Sequence, residues 1–315
     1  MRDAVELTDA LRRSRAWLGT AGAHPSASLR HALQSLFGVW VCTRALGDDA
    51  PAELRPLLDA ALEKLDDELE AGSFDPYGYD PKLLLVCLRI FERERTQPAA
   101  LRTFADSIAE ALGSLAQIPA GHAGVAAMLY QLGYPGIRAA AIVPAADEPD
   151  LDSLLRGGPD VVRAACSSVA AASHFGAQRI EAPWPQFEGL RRALPVVFLQ
   201  SLRSYDLDTA AMLLRTSRYL RMRRSGRIEE GISFLVDHQK HDGRFGFFAV
   251  EASALEQSEE LPGFDEVLTL YLPVTSTCAW ALAEQLSDRC LLFERPRGRP
   301  RRRAGSVPPL PSYAS

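Results

Sequence analysis

Asparagine is absent from the 315 residues, and lysine is nearly so: Lys64, Lys82 and Lys240 stand among 35 cationic side chains. The missing Asn excludes every chemistry that needs that carboxamide. The arginine bias marks a GC-rich coding sequence rather than a mechanism. Cysteine is scarce and odd in number: Cys42, Cys87, Cys166, Cys278 and Cys290, with no C-x-x-C pair. Neither a disulfide framework nor a zinc knuckle is indicated, and reduced thiols in the cytoplasm are expected. Long apolar runs are missing too. Residues 83–87 form one of the longest, far too short to cross a bilayer, so no integral membrane segment is expected. The opening stretch MRDAVELTDALRRSRAWL lacks the continuous apolar core of a signal peptide. Convincing strand alternation is also lacking.

What is present is ordinary globular composition, 47% hydrophobic and 24% charged. Charge is unevenly placed. Residues 295–315 hold six arginines and no acid; removing them from a formal net charge of −5 leaves −11 on residues 1–294. An acidic body argues against a nucleic-acid surface. The tail RPRGRPRRRAGSVPPLPSYAS is rich in Arg, Pro and Ser and is expected to be disordered.

Helical periodicity dominates the rest. Leu7, Leu11, Trp17 and Leu18 mark a first amphipathic helix. Others are expected at about residues 28–46, 51–70, 81–94, 98–117, 120–132, 161–173, 187–204, 206–220, 228–239 and 275–286. Residues 142–159 read as a long loop with one helical turn. A dozen helices joined by short Gly- and Pro-rich loops imply stacked helical hairpins, since each hairpin alone leaves a face unburied. An open solenoid and a closed ring both satisfy that need. The expected class is all-α, an α/α toroid of stacked hairpins, with one domain over residues 1–294 and the tail over 295–315.

Two short motifs stand in order along one stretch. GISFLVDHQKHDGRFGFF contains Gly231, Phe234, Leu235, Gln239, Gly243 and Phe245. Upstream lies Asp206-Leu207-Asp208-Thr209-Ala210. The first resembles the QW motif of squalene-hopene cyclases and their relatives, with Phe245 where that family usually has Trp. The second resembles the D-x-D-D-T-A motif of class II terpene cyclases, with Thr209 at the fourth position. The resemblance covers about forty-five residues. It implies the α/α toroid of the terpene cyclase and prenyltransferase barrels, with Asp208 as the proton donor to an alkene and Asp206 as its supporting carboxylate. A QW-like Gln can bond backbone groups at helix ends, and its Gly permits the turn after the helix.

The residues themselves leave a second reading of the pair open. Acids at the start of DLDTAAMLLRTSRYL cap a helix and favour its dipole. Protonating an alkene needs a neutral carboxylic acid in an apolar pocket. The length also fits one barrel, whereas the familiar class II enzymes combine two; a homodimer would supply a second. Aromatic residues are 8% of the chain, few for a cavity that guides a carbocation.

Other constellations read as structural. Asp66-Asp67-Glu68-Leu69-Glu70 imitates a D-D-x-x-D/E magnesium motif, but it fits a solvated helix face. Asp288-Arg289-Cys290 imitates the zinc ligands of protein prenyltransferase β subunits, but no His follows His241. AGHAGVAAMLYQL has small residues suited to close helix packing, with His122 at its start. His238 and His241 flank Gln239 at a helix end without an evident third ligand. Arg218, Arg221, Arg223, Arg224 and Arg227 could meet a diphosphate or form a solvated loop. No metal and no cofactor is expected. The expected function is class II terpene-cyclase-like, acid-initiated cyclisation of a polyprenyl or other apolar natural-product intermediate. The alternative is a non-catalytic toroid binding a peptide or a partner enzyme in specialised metabolism.

Overall fold

Local sequence signals set several of the helix boundaries. A computed structural model of the chain describes residues 4–48, 53–138, 142, 151–178, 180, 187–222, 225–246, 264–287 and 290–293. Within them lie twelve α-helices and no strand. They are α1 (Ala4–Gly22), α2 (Leu29–Leu46), α3 (Leu54–Glu70), α4 (Pro81–Arg93), α5 (Ala99–Gly113) and α6 (Ala123–Leu132). Then follow α7 (Leu151–Arg156), α8 (Gly158–Ala172), α9 (Glu188–Arg203), α10 (Leu207–Tyr219), α11 (Gly226–Asp237) and α12 (Phe264–Leu286). The all-helical class expected from periodicity is the one observed. Residues 295–315, the expected basic tail, lie outside the described residues.

Caps explain several starts and stops. Ser28 accepts from the His31 backbone N–H, and His31 Nδ1 accepts from the Ser28 N–H, a reciprocal box that begins α2. Gly47 ends the same helix at φ 75°. Asp80 accepts from the Lys82 N–H, with Pro81 at the first position of α4, where its missing donor costs nothing. Asp206 and Ser225 cap α10 and α11.

Most boundaries fall within about four residues of the sequence expectation, and two regions differ by more. α12 begins at Phe264 rather than near Thr275, because it runs through Pro273. Proline removes only one ladder donor, and the Thr277 hydroxyl donates to the Pro273 carbonyl at 3.0 Å. The loop expected over residues 142–159 contains α7 and the start of α8; residues 143–150 lie outside the described residues.

Burial separates two kinds of helix. α3 carries one apolar stripe, Leu54, Leu57, Leu58, Ala61 and Leu65, and turns its acids outward. α2 and α12 are apolar around most of their circumference; α2 buries 13 of its 18 residues, and α12 buries 13 of 23, all from Leu268 onward. The packing follows this division. α2 packs on α4, α4 on α6, α6 on α8, α8 on α10, α10 on α12, and α12 on α2. Of the odd-numbered helices, α1 packs on α2, α3 and α12, α5 on α4 and α6, α7 on α8 and α9, and α9 on α10 and α11. α11 reaches α9 closely because residue 231 is Gly: a Cβ there would stand 2.1 Å from the Phe198 ring. One contiguous apolar core joins α1 to Phe293. A fully buried Leu in it, such as Leu36, would cost about 2–5 kcal/mol on truncation to Ala. No helix among the described residues is long and apolar enough to cross a membrane.

Candidate functional site

The even-numbered helices share one cavity. Its volume is about 1100 Å³, slightly above the ~300–1000 Å³ common for small-molecule sites. Phe37 of α2, Val86 of α4, Met128 of α6, Ala165 of α8, Met212 of α10 and Trp280 of α12 all line it. The space exists because α6 and α8 present small side chains. Gly124, Ala164, Ala165, Ser167, Ser168 and Ala170 stand where larger residues would close it. The smallness of AGHAGVAAM thus opens a cavity as well as allowing α6 to pack on α8.

Aromatic residues concentrate here although the chain has few. Phe37 meets Trp280 edge-on at 5.0 Å between centroids, and Phe175 stacks on Trp280 at 6.5 Å. Phe175 sits in a strained turn after α8. His174 and Phe175 have φ of 48° and 55°, and Gly176 follows at 81°. Such left-handed conformations are unfavourable for non-glycine residues, so the surrounding packing holds this ring in the wall.

Three polar side chains cluster beside Trp280. The Arg215 guanidinium lies over the Trp280 ring. Arg215 Nη2 donates to the Tyr219 hydroxyl at 2.9 Å, and Tyr219 donates to Glu284 Oε1 at 2.7 Å. Trp280 Nε1 donates to the same oxygen at 2.8 Å. Arg215 Nε and Glu284 Oε2 form a loose ion pair at 3.6 Å, both groups buried. Burial pushes the Glu284 carboxyl up from its ordinary range; Arg215, Tyr219, Arg218 and Trp280 all pull the other way and do not win. Arg215, Tyr219 and Trp280 line the cavity.

The acids singled out in the sequence take different places. Asp208 lines the cavity, and Asp206 does not. Asp206 Oδ1 accepts from the Thr209 backbone N–H at 3.1 Å, the capping role. Arg163 of α8 stands by both: Nη2 lies 3.3 Å from Asp206, and Nε lies 3.8 Å from Asp208. Arg163 Nε also donates to the Thr209 hydroxyl at 3.0 Å. Thr209, the residue that departs from the class II motif, is therefore tied to the guanidinium that joins α8 to α10.

At the helix starts, Arg30, His31, Asp80 and Lys82 enter the cavity wall. Arg30 Nη2 donates to the Gly78 carbonyl at 2.7 Å. His31 sits within 3.4 Å of both Asp265 and Thr269, joining the starts of α2 and α12. Burial pulls the His31 imidazole down; Asp265 opposes that and Arg30 adds to it.

The QW-like segment lies apart from the cavity and joins α11 to α1. Gln239 Nε2 donates to the Ala10 carbonyl and Ser14 hydroxyl at 2.9 Å each, and Arg13 Nη2 donates to Gln239 Oε1 at 2.6 Å. Ala10 is inside α1, so the acceptor is a second lone pair of a ladder carbonyl rather than an orphan group at a helix end. Gly243 has φ 99°, and a Cβ there would stand 2.2 Å from the Arg13 carbonyl oxygen. Phe245 is fully buried, and its backbone N–H donates to Thr275 Oγ1 at 2.9 Å.

No family model, curated protein or solved structure matches this chain.

The remaining candidates take structural positions. Asp66, Asp67 and Glu70 are exposed on α3, while Glu68 accepts from the Tyr79 hydroxyl at 2.9 Å. His122 is exposed at the end of a single 3-10 turn. His238 stacks on Phe234 and lies 3.3 Å from the Tyr205 hydroxyl, whereas His241 is exposed. Arg218 donates to the Ser287 carbonyl, and Arg221 and Arg227 are exposed. None of these three arginines lines the cavity; Arg223 and Arg224 lie outside the described residues. Cys290 is a buried thiol bonded to the Phe175 carbonyl, while Asp288 and Arg289 lie outside the described residues. Among the described residues no three His, Cys, Asp or Glu side chains gather as a metal set.

Arg215 and Glu284 were not among the residues singled out in the sequence. Their signal was present: each is a charge inside an apolar helical stretch, AAMLLRTS and AWALAEQL. A charge on a buried face demands a partner.

Proposed function

We propose that the chain is an α/α toroid that binds an apolar small molecule in its central cavity. The succession of even-numbered helices, each packed on the next with α12 returning to α2, supports the closed ring. The odd-numbered helices flank that succession. Binding is supported above all by the cavity of about 1100 Å³ lined by all six even-numbered helices. Its wall mixes aromatic and aliphatic side chains with charged groups, Arg30, Asp80, Lys82, Asp208 and Arg215, and polar groups that orient a ligand among apolar surface are the pattern of small-molecule sites.

The binding of a solvatochromic apolar dye tests this reading. Gly124 is the position to block. A Cβ there would make only ordinary contacts, 3.5 Å to Lys82 and 3.8 Å to Phe175. Gly124→Phe therefore places a ring in the cavity at a helical backbone position. Saturable dye binding by the wild type and its loss in a folded Gly124→Phe variant are expected. Equal binding by both would remove the cavity as the site.

The terpene-cyclase-like activity is a second reading, favoured by one observation: Asp208 lines the cavity. In that reading Asp208 is the general acid, Asp206 fixes the start of its helix, and the protein acts in the cytoplasm. Incubation with polyprenyl substrates tests it. A cyclic product lost in Asp208→Asn supports catalysis, and full activity in that variant sinks the assignment.

A further inference from the structure

Arg215 is only 7% exposed, yet it lines the cavity. A guanidinium carries five N–H donors. Among the described residues one of them meets an acceptor, the Tyr219 hydroxyl; Nε faces Glu284 Oε2 at 3.6 Å, beyond hydrogen-bond reach, and the remaining donors meet no acceptor. A buried donor without an acceptor is costly, so this group is matched to an acceptor that enters the cavity. Its surroundings define that acceptor further. Glu284 does not line the cavity and sits behind the guanidinium, with Oε1 already engaged by Tyr219 and Trp280. The ion pair therefore presents its positive end to the cavity. Trp280, Phe37 and Phe175 surround that end with apolar surface.

We infer that Arg215 holds the oxygen end of an apolar ligand, a carbonyl or a carboxylate, with the hydrocarbon body running past Phe37, Phe175 and Met212. The inference rests on the cavity being the binding site and names the chemistry that site selects. The orientation is polar end inward against Trp280, with the apolar body between α2, α8 and α10. A cationic head group is disfavoured there, because it would face the guanidinium. A plain alkane fills the same space but leaves the donors unmatched.

A matched-chain panel tests this on the wild-type protein. Dodecan-2-one, dodecanoate, dodecylammonium and dodecane are each titrated against the bound apolar dye. The ketone, the carboxylate or both displace it at roughly 10- to 100-fold lower concentration than the amine and the alkane, the range for a hydrogen bond to a charged group. Their order tells whether the acceptor is neutral or charged, and either order supports the inference. Equal displacement by all four overturns the inference and leaves the cavity reading standing; failure of the dye to bind removes both. Arg215→Gln, checked for its fold by circular dichroism, abolishes the oxygen preference while the alkane still displaces the dye. Retention of the preference in that folded variant overturns the role of Arg215.

Discussion

Gln239 Nε2 donates to the Ala10 carbonyl at 2.9 Å, joining residues 229 positions apart. The same amide reaches Ser14 and Gly243, so one side chain fixes the end of α11 against α1. Gln239→Ala breaks this junction and leaves partners unsatisfied, a loss of about 1–3 kcal/mol. Gly243→Ala costs more, at least about 2 kcal/mol, because it adds a left-handed penalty to a clash with the Arg13 carbonyl. Urea unfolding midpoints check both. A Gly243→Ala variant as stable as the wild type would contradict the geometry.

Asp206 and Asp208 separate in a stability experiment. Asp206→Ala loses the N-cap of α10, about 1 kcal/mol, and Asp206→Ser restores most of it. Asp208→Asn stays within about 0.5 kcal/mol, because Asp208 is a partly exposed group in a long ion pair. Thermal unfolding of the three variants reads the difference.

Glu284 gives the protein a pH dependence of known sign. Its carboxyl is raised above the ordinary 4.5 by burial. Its contribution to stability is therefore complete below about 4.5 and is lost as pH rises through the higher folded value. Glu284→Gln cannot ionise. Relative to the wild type, that variant gains stability on going from pH 4 to neutral. Urea midpoints across that range check it; a difference that stays flat or falls with pH would contradict it.

The thiols provide a control on packing. All five cysteines are buried, and burial pushes Cys42 to about 12 and Cys166 to about 11. Cys166 lines the cavity, so it is the thiol that a small reagent reaches first. A colorimetric disulfide reagent should leave the other four unlabelled in the native protein and label all five in denaturant.

The helices with a strong apolar period were legible in the sequence, as over residues 28–46 for α2 and 81–94 for α4; their caps, Ser28 and Asp80, emerge only in the structure. The helix expected over residues 275–286 continues back to Phe264 through Pro273, a residue that breaks helices locally. Sequence reading placed both acids at the start of α10 but had no means to see Arg163, which lies 43 residues before Asp206 in sequence and meets it through the packing of α8 on α10. The cavity was hidden for the same reason. The small residues of α6 read as tight packing, and those of α8 carried no separate signal, until the facing helices were known.

Photolabelling with an apolar diazirine probe reads out where the protein binds an apolar ligand. Labels are predicted on cavity residues from several even-numbered helices, including Phe37, Met128 and Trp280, and are predicted to vanish in Gly124→Phe. Labels confined to exposed apolar residues such as Val5, Tyr77, Leu115 and Val196 would contradict the account.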